Sequence, residues 1–97
     1  MHDIFKKAKA EQDLIDIWVY TYERWGEAQA DRYLDELDAG LRTLRRFPEM
    51  GADYSHVRTG YRRYSINHHR IFYRLTERSI EIVRVLHESM DPEPYLE

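Results

Sequence analysis

Residues 61–87, YRRYSINHHRIFYRLTERSIEIVRVLH, decide the fold. Three runs rich in β-branched and aromatic residues, Tyr61–Ile66, His69–Leu75 and Ile80–His87, read as strands. Asn67-His68 closes the first pair as a two-residue hairpin turn, since Asn tolerates positive φ, and Glu77-Arg78 closes the second. The first turn sets Ile66 against His69, Tyr64 against Ile71, Arg63 against Phe72, Arg62 against Tyr73 and Tyr61 against Arg74. The second sets Leu75 against Ile80, Tyr73 against Ile82 and Phe72 against Val83. Opposed residues share a face and neighbours along a strand alternate. One face therefore collects Tyr64, Ile66, Ile71, Tyr73, Leu75, Ile80, Ile82 and Leu86, the side expected to meet the rest of the core. The other collects Tyr61, Arg63, Arg70, Phe72, Arg74, Glu81, Val83, Val85 and His87, a basic surface with an apolar ridge of Phe72, Val83 and Val85. Apolar patches rimmed by charge mark interaction sites. Arg84 alternates onto the core face and needs an acidic partner from the helices or a way out to the sheet edge.

Upstream, the period changes from two to three and four. Residues 2–7 alternate as a short strand, and Lys9 to Trp25 reads as a helix with Ala10, Leu14, Ile17, Trp18, Tyr22 and Trp25 on one stripe. It has no Ser, Thr, Asp or Asn cap, and Gly26 is its natural stop. Glu27 to Arg46 forms a second helix, its stripe made of Ala30, Tyr33, Leu37, Leu41 and Leu44 and extended by Phe47, with Asp38 and Arg42 paired on the polar side. Pro48 ends it. The short link makes the helices an antiparallel hairpin. Residues 48–57 read as loop. The tail, 91–97, reads as extended, because Pro92 and Pro94 deny it a regular helix. The expected fold class is α+β in the order β-α-α-β-β-β, an N-terminal strand and a helical hairpin packed on one face of a mainly antiparallel sheet, within a single domain over 1–97.

The chain has 97 residues, 42% hydrophobic and 34% charged, which fits one globular domain. The absence of cysteine excludes disulfide scaffolds, thiolate metal sites and cysteine nucleophiles. The longest apolar run in the helical region, Ile17–Tyr20, is far short of the ~20 residues of a membrane span. The N-terminus does not read as a signal peptide, so the expected location is the cytoplasm. Fifteen basic and eighteen acidic residues give −3, unlike an indiscriminate nucleic-acid binder, and no direct sequence-specific nucleic-acid binding is expected. Yet no acid lies between Asp53 and Glu77, where Arg58, Arg62, Arg63, Arg70 and Arg74 stand with His56, His68 and His69. Arginine's planar fork suits carboxylate, phosphate or aromatic partners. His68 and His69 are a weak metal hint, since adjacent strand residues point to opposite faces. No metal and no cofactor are expected.

Six motifs occur in order: Ala10-x-x-Asp13-Leu14-x-x-Ile17, Trp25-Gly26-x-x-Gln29-Ala30-x-x-Tyr33, Leu44-x-x-x-Pro48-x-x-Gly51, Arg58-x-Gly60-Tyr61-Arg62, His69-Arg70-Ile71-Phe72-Tyr73, and Ile80-x-Ile82-x-Arg84-Val85-Leu86-His87-x-x-Met90-Asp91. Together they resemble the ParE toxins of the RelE/ParE superfamily over nearly the whole chain. The resemblance implies the toxin of a toxin–antitoxin module, a ParD-like antitoxin as partner and DNA gyrase as the target of the free toxin. Within that frame the expected antitoxin-binding residues are Arg63, Arg70, Phe72, Arg74, Val83 and Val85. The expected target-binding residues are Arg58, Arg62, His87, Met90 and Asp91.

The sister branch, the RelE-like toxins, cleaves mRNA on the ribosome. Such chemistry needs a base for the 2′-hydroxyl, cations for the phosphorane and an acid for the leaving oxygen. The candidates are His87 with Arg63 and Arg70, which the alternation places on one exposed face. The chain lacks the lysine pair, or the glutamate–arginine–histidine set, that those nucleases tend to carry, and no lysine follows residue 9. The preferred reading is a gyrase poison without catalytic residues. The alternatives are a ribosome-dependent endoribonuclease and an inactivated toxin that survives as a binding module.

Overall fold

The computed structural model describes residues 2–96. Its elements run β1 (Asp3–Lys6), α1 (Ala8–Trp25), α2 (Glu27–Arg46), β2 (Ala52–Asp53), β3 (Tyr61–Ile66), β4 (His69–Leu75) and β5 (Ser79–His87), followed by a 3-10 turn, Glu93–Tyr95. The sheet has five strands in the order β1-β5-β4-β3-β2, with β1 parallel to β5 and the other pairs antiparallel. This is the α+β order the sequence implies, with one strand more: β2 lies inside the stretch read as loop. Two residues are too few to show a period.

Gly26 separates the helices at φ +89°, where an L side chain would be strained, and its N–H donates to the Tyr22 carbonyl. Lys7 precedes α1 without a side-chain cap. The stripe of α2 behaves as its spacing demands: Ala30, Leu37, Leu41 and Leu44 are buried. Gly40 on the same side lets α2 rest directly on β3, because a Cβ there would stand 1.8 Å from Ile66 Cδ1. Leu41 and Leu44 join Ala10, Ile71, Tyr73, Ile80, Ile82 and Val85 in the main core, with Leu14, Ile17, Tyr64 and Ile66 packed around it. The Asp38–Arg42 ion pair forms on the polar side of α2.

The stripes end sooner than their spacing implies. Tyr22 (48% exposed), Trp25 and Phe47 lie in solvent, and Trp18 stacks on Tyr22 at 5.1 Å while its ring N–H donates to Asp31. Trp25 stands at the turn of the helical hairpin and Phe47 at its open end, and at these two ends continued helical spacing no longer means burial.

The β3–β4 register is the expected one, and Asn67 takes φ +52° at the turn. The β4–β5 register agrees from Leu75↔Ile80 to Tyr73↔Ile82 and then shifts: Phe72 pairs with Arg84, Ile71 with Val85 and His69 with His87. A bulge at Val83 absorbs one residue and reverses the alternation beyond it. Val85 turns to the helix side and Leu86 to the other, the reverse of the expected assignment. The physical reason is burial of β5 on both faces, which makes Ile82-Val83 and Val85-Leu86 apolar whichever way they point. Arg84 resolves the awkwardness its position announced. It reaches the sheet edge, where Nε and Nη2 donate to the two Asp13 carboxylate oxygens at 2.8 Å each, and the Val85 N–H donates to the same carboxylate.

The second face is not an open ridge. Tyr61, Phe72, Val83 and Leu86 form a smaller core with Leu96, joined by Tyr54, Val57 and Met90. The tail is not extended: it turns through the 3-10 segment and delivers Leu96, fully buried, onto the sheet. Arg58 Nε holds it there by donating to the Leu96 carbonyl.

Candidate functional site

The residues expected to act together fall into two groups on opposite sides of the sheet, because the bulge lies between them. On the outer face, Arg63 stands opposite Phe72, and Arg70 stands opposite Ser65, two residues further along β3. Arg63 lies over the Tyr54 ring at 5.6 Å from its centre. Both guanidinium groups lack a carboxylate partner within hydrogen-bond distance among the described residues.

The other arginines of the basic window are engaged. Arg58 pins the tail. Arg62 Nη1 donates to the carbonyls of Glu49 and Gly51, which fastens the loop after α2. Arg74 donates from Nε and Nη2 to Glu81 Oε1, and this carboxylate raises its pKa. Phe72, Val83 and Val85, expected as an exposed apolar ridge, are 0%, 7% and 3% exposed. The first two lie in the small core beneath the tail, and the third faces the helices. Met90 is half-buried beside that small core, and Asp91 is exposed and accepts the Glu93 N–H.

His87 follows Val85 to the helix side, away from Arg63 and Arg70. There it meets His69 edge-to-face at 5.2 Å and His68 at 6.4 Å between ring centres. The Ser89 N–H and hydroxyl both lie within hydrogen-bond distance of His87 Nδ1. A backbone N–H only donates, so Nδ1 is the acceptor and the neutral ring carries its proton on Nε2. Tyr33 of α2 closes a second short chain. Its hydroxyl accepts from the His68 N–H at 3.3 Å and lies within hydrogen-bond distance, 2.5 Å, of His69 Nδ1. Burial, then the neighbouring His87 and His68, lower the His69 pKa to about 4, and burial raises that of Tyr33. His68 Nδ1 pairs with Glu88 at 2.8 Å, a contact that holds the Glu88 carboxyl below its ordinary range.

These rings line a groove of about 890 Å³ between α1 and the end of β5, walled by Ile17, Tyr20, Trp25, Val85 and Met90. Tyr33 escaped notice in the sequence because its spacing on α2 reads as core packing. His69 escaped because nothing local shows that Tyr33 lies above it. Among the described residues no group of three His, Asp or Glu side chains is placed to hold a metal ion. None of the helices among them is long and apolar enough to cross a membrane.

A family profile described as the ParE toxin of type II toxin-antitoxin system, parDE, matches residues 4–92. The chain is 43% identical over 88 residues to a protein named Toxin ParE1 from Caulobacter vibrioides, covering 91% of each chain. It is 43% identical over 83 residues to a Toxin ParE1 from Mycobacterium tuberculosis, covering 84% of this chain and 85% of the relative. It is also 36% identical over 86 residues to a Toxin ParE from Escherichia coli, covering 87% and 82%. Among solved structures, one titled "Chromosomal ParDE TA system from P. aeruginosa" superposes with a TM-score of 0.79 at 19% identity, over 90% of this chain and 96% of that one, a likeness of fold.

Proposed function

Because the chain belongs to the ParE toxin family of type II toxin–antitoxin systems, we propose that it inhibits DNA gyrase when free and is neutralised by a ParD-like antitoxin. It acts in the cytoplasm, as one domain, by binding and without catalysis. The observation that carries the non-enzymatic reading is the separation of His87 from Arg63 and Arg70 by the thickness of the sheet. A nuclease needs its base and its phosphate-binding cations around one reacting phosphate. The His87 Nδ1 already accepts from the Ser89 N–H, so that nitrogen is not a vacant base.

Arg63 and Arg70 are the proposed anchors for antitoxin carboxylates, with Arg74 at the rim already shared with Glu81. Phe72 and Val83 support this surface from within, and Val85 lies on the helix side of the same sheet. Of the proposed target-binding residues, His87 and Asp91 keep polar edges toward solvent, whereas Arg58, Arg62 and Met90 serve by holding the tail and the loop before β3 in place. In the deciding experiment, purified toxin is added to a gyrase supercoiling reaction and to a cell-free translation extract. Supercoiling is expected to stop while mRNA stays intact. Cleaved mRNA, lost on His87→Ala, would establish the endoribonuclease reading. Inertness in both assays would establish the inactivated binding module.

A further inference from the structure

The helix α1 is apolar on two sides. Ala10, Leu14 and Ile17 meet the main core, as their spacing requires. Ile15 (56% exposed), Val19 (43%) and Tyr22 (48%) recur at i, i+4 and i+7 on the solvent side, and Trp18 joins them by stacking on Tyr22. The Trp18 ring N–H donates to Asp31 of α2 at 2.9 Å, which holds the indole across the seam between the two helices. This second stripe adds little to the core, because Ile15, Val19 and Tyr22 stay in water. A contiguous apolar face rimmed by charge marks an interaction surface.

The rim has one sign. From Glu11 to Asp38 the hairpin carries nine acids against two basic residues, Arg24 and Arg32, so its field is strongly negative. Arg84 takes Asp13 and Arg42 takes Asp38, whereas Glu11, Glu23, Glu27, Asp31 and Asp35 are exposed with no cation within ion-pair distance among the described residues. Asp31 and Asp35 lie one turn apart on α2, and the bond to Trp18 sets their row along the stripe. The outer face of the sheet has the opposite sign, with Arg63 and Arg70 and no acid between Asp53 and Glu77. One occupant cannot complement both faces. Like charge works against an acidic segment or a second copy of the same stripe on the hairpin, and favours a partner that is basic around an apolar centre. An enzyme that acts on duplex DNA carries basic surfaces, because it must neutralise phosphates with Lys and Arg. We propose that the outer face of the helical hairpin docks on gyrase, its apolar stripe against apolar residues of the target and its flanking carboxylates against Lys and Arg side chains there. The inference rests on the gyrase inhibition put forward above and specifies a surface for it.

Supercoiling reactions with purified gyrase, relaxed plasmid DNA and ATP test this. Ile15→Ser/Val19→Ser removes exposed apolar area only, and unchanged circular dichroism and melting temperature verify its fold. This variant is expected to need about tenfold or more protein for half-inhibition while binding the ParD-like antitoxin as before. Glu23→Gln/Asp35→Asn is expected to weaken inhibition about threefold or more at low salt and little at high salt, where the charges are screened. The chain has no cysteine, so Gln12→Cys, three residues before Ile15 on the same side of α1, and Ser65→Cys, on the arginine face, each carry a single photo-cross-linker. Gln12→Cys is expected to cross-link to gyrase and Ser65→Cys is not. Undiminished inhibition by Ile15→Ser/Val19→Ser, or cross-linking from Ser65→Cys alone, overturns the hairpin face and leaves gyrase inhibition standing. Failure of the unaltered toxin to stop supercoiling overturns both. Antitoxin affinity that falls in Ile15→Ser/Val19→Ser as far as inhibition does assigns the stripe to the antitoxin and overturns the proposal. Self-association that this variant abolishes, with inhibition intact, assigns the stripe to a second copy of the chain and overturns it as well.

Discussion

His69 shows how much one ring's surroundings decide. A histidine at a hairpin turn is ordinarily a solvent-facing base, yet α2 lowers Tyr33 onto this one and β5 brings His87 against its edge. The ring stays neutral down to about pH 4, whereas in the unfolded chain it takes a proton near 6.5. Between these values the unfolded state binds the extra proton, so stability falls as pH falls through the window and the loss is complete below it. Urea midpoints of the wild type measured from pH 7.5 to 4 are expected to slope downward more steeply than those of His69→Gln, whose amide keeps a hydrogen-bonding group beside the Tyr33 hydroxyl. Equal slopes would mean that another group carries the acid sensitivity.

At the scale of elements, the joint between α1 and β5 is the Asp13–Arg84 pair, with side chains 12% and 15% exposed. It forms where the parallel β1–β5 pairing has stopped at Lys6↔Ile82 and the sheet edge would otherwise leave the Val85 N–H without an acceptor. Arg84 also lies over the Tyr95 ring at 5.5 Å, so the same side chain reaches the tail. Asp13→Ala removes the carboxylate that accepts from a nearly buried guanidinium and from a backbone N–H together, and is expected to cost about 2–4 kcal/mol in urea unfolding. Asp13→Leu/Arg84→Met removes both charges and is expected to recover part of that loss, short of full stability because the Val85 N–H remains unpaired. Full additivity of the two single changes would show that the ion pair does not couple helix to strand.

On the scale of the whole molecule, the sheet is a layer with a core on each side. The helices cover one face, and the segment from Tyr54 to Val57 and the tail cover part of the other. Leu96 closes the smaller core from the last turn of the described chain, far in sequence from Tyr61 and Phe72, which it joins. Leu96→Ala is expected to cost about 2–4 kcal/mol in chemical denaturation and to raise hydrogen exchange along the outer face of β4. A loss within about 0.5 kcal/mol would show that the tail frays without the sheet noticing.

The sequence alone determined what local periodicity and turn chemistry control. Both helices, the Gly26 stop, the Asn67 turn and the β3–β4 register follow from spacing and from residues with special backbone freedom, and these act over a few positions. The family followed from six motifs in order, and the acid-free arginine window from simple inspection. Tertiary structure alone decided the bulge at Val83, because a strand buried on both faces carries no alternation that marks a lost residue. That one residue sends His87 to the side of Tyr33 and away from Arg63 and Arg70. It decided as well that Phe72 and Val83 are roofed by Leu96, since a hydrophobic residue near a chain end does not say where it docks. Which apolar surface stays open to a partner depends on what the remainder of the chain has already covered.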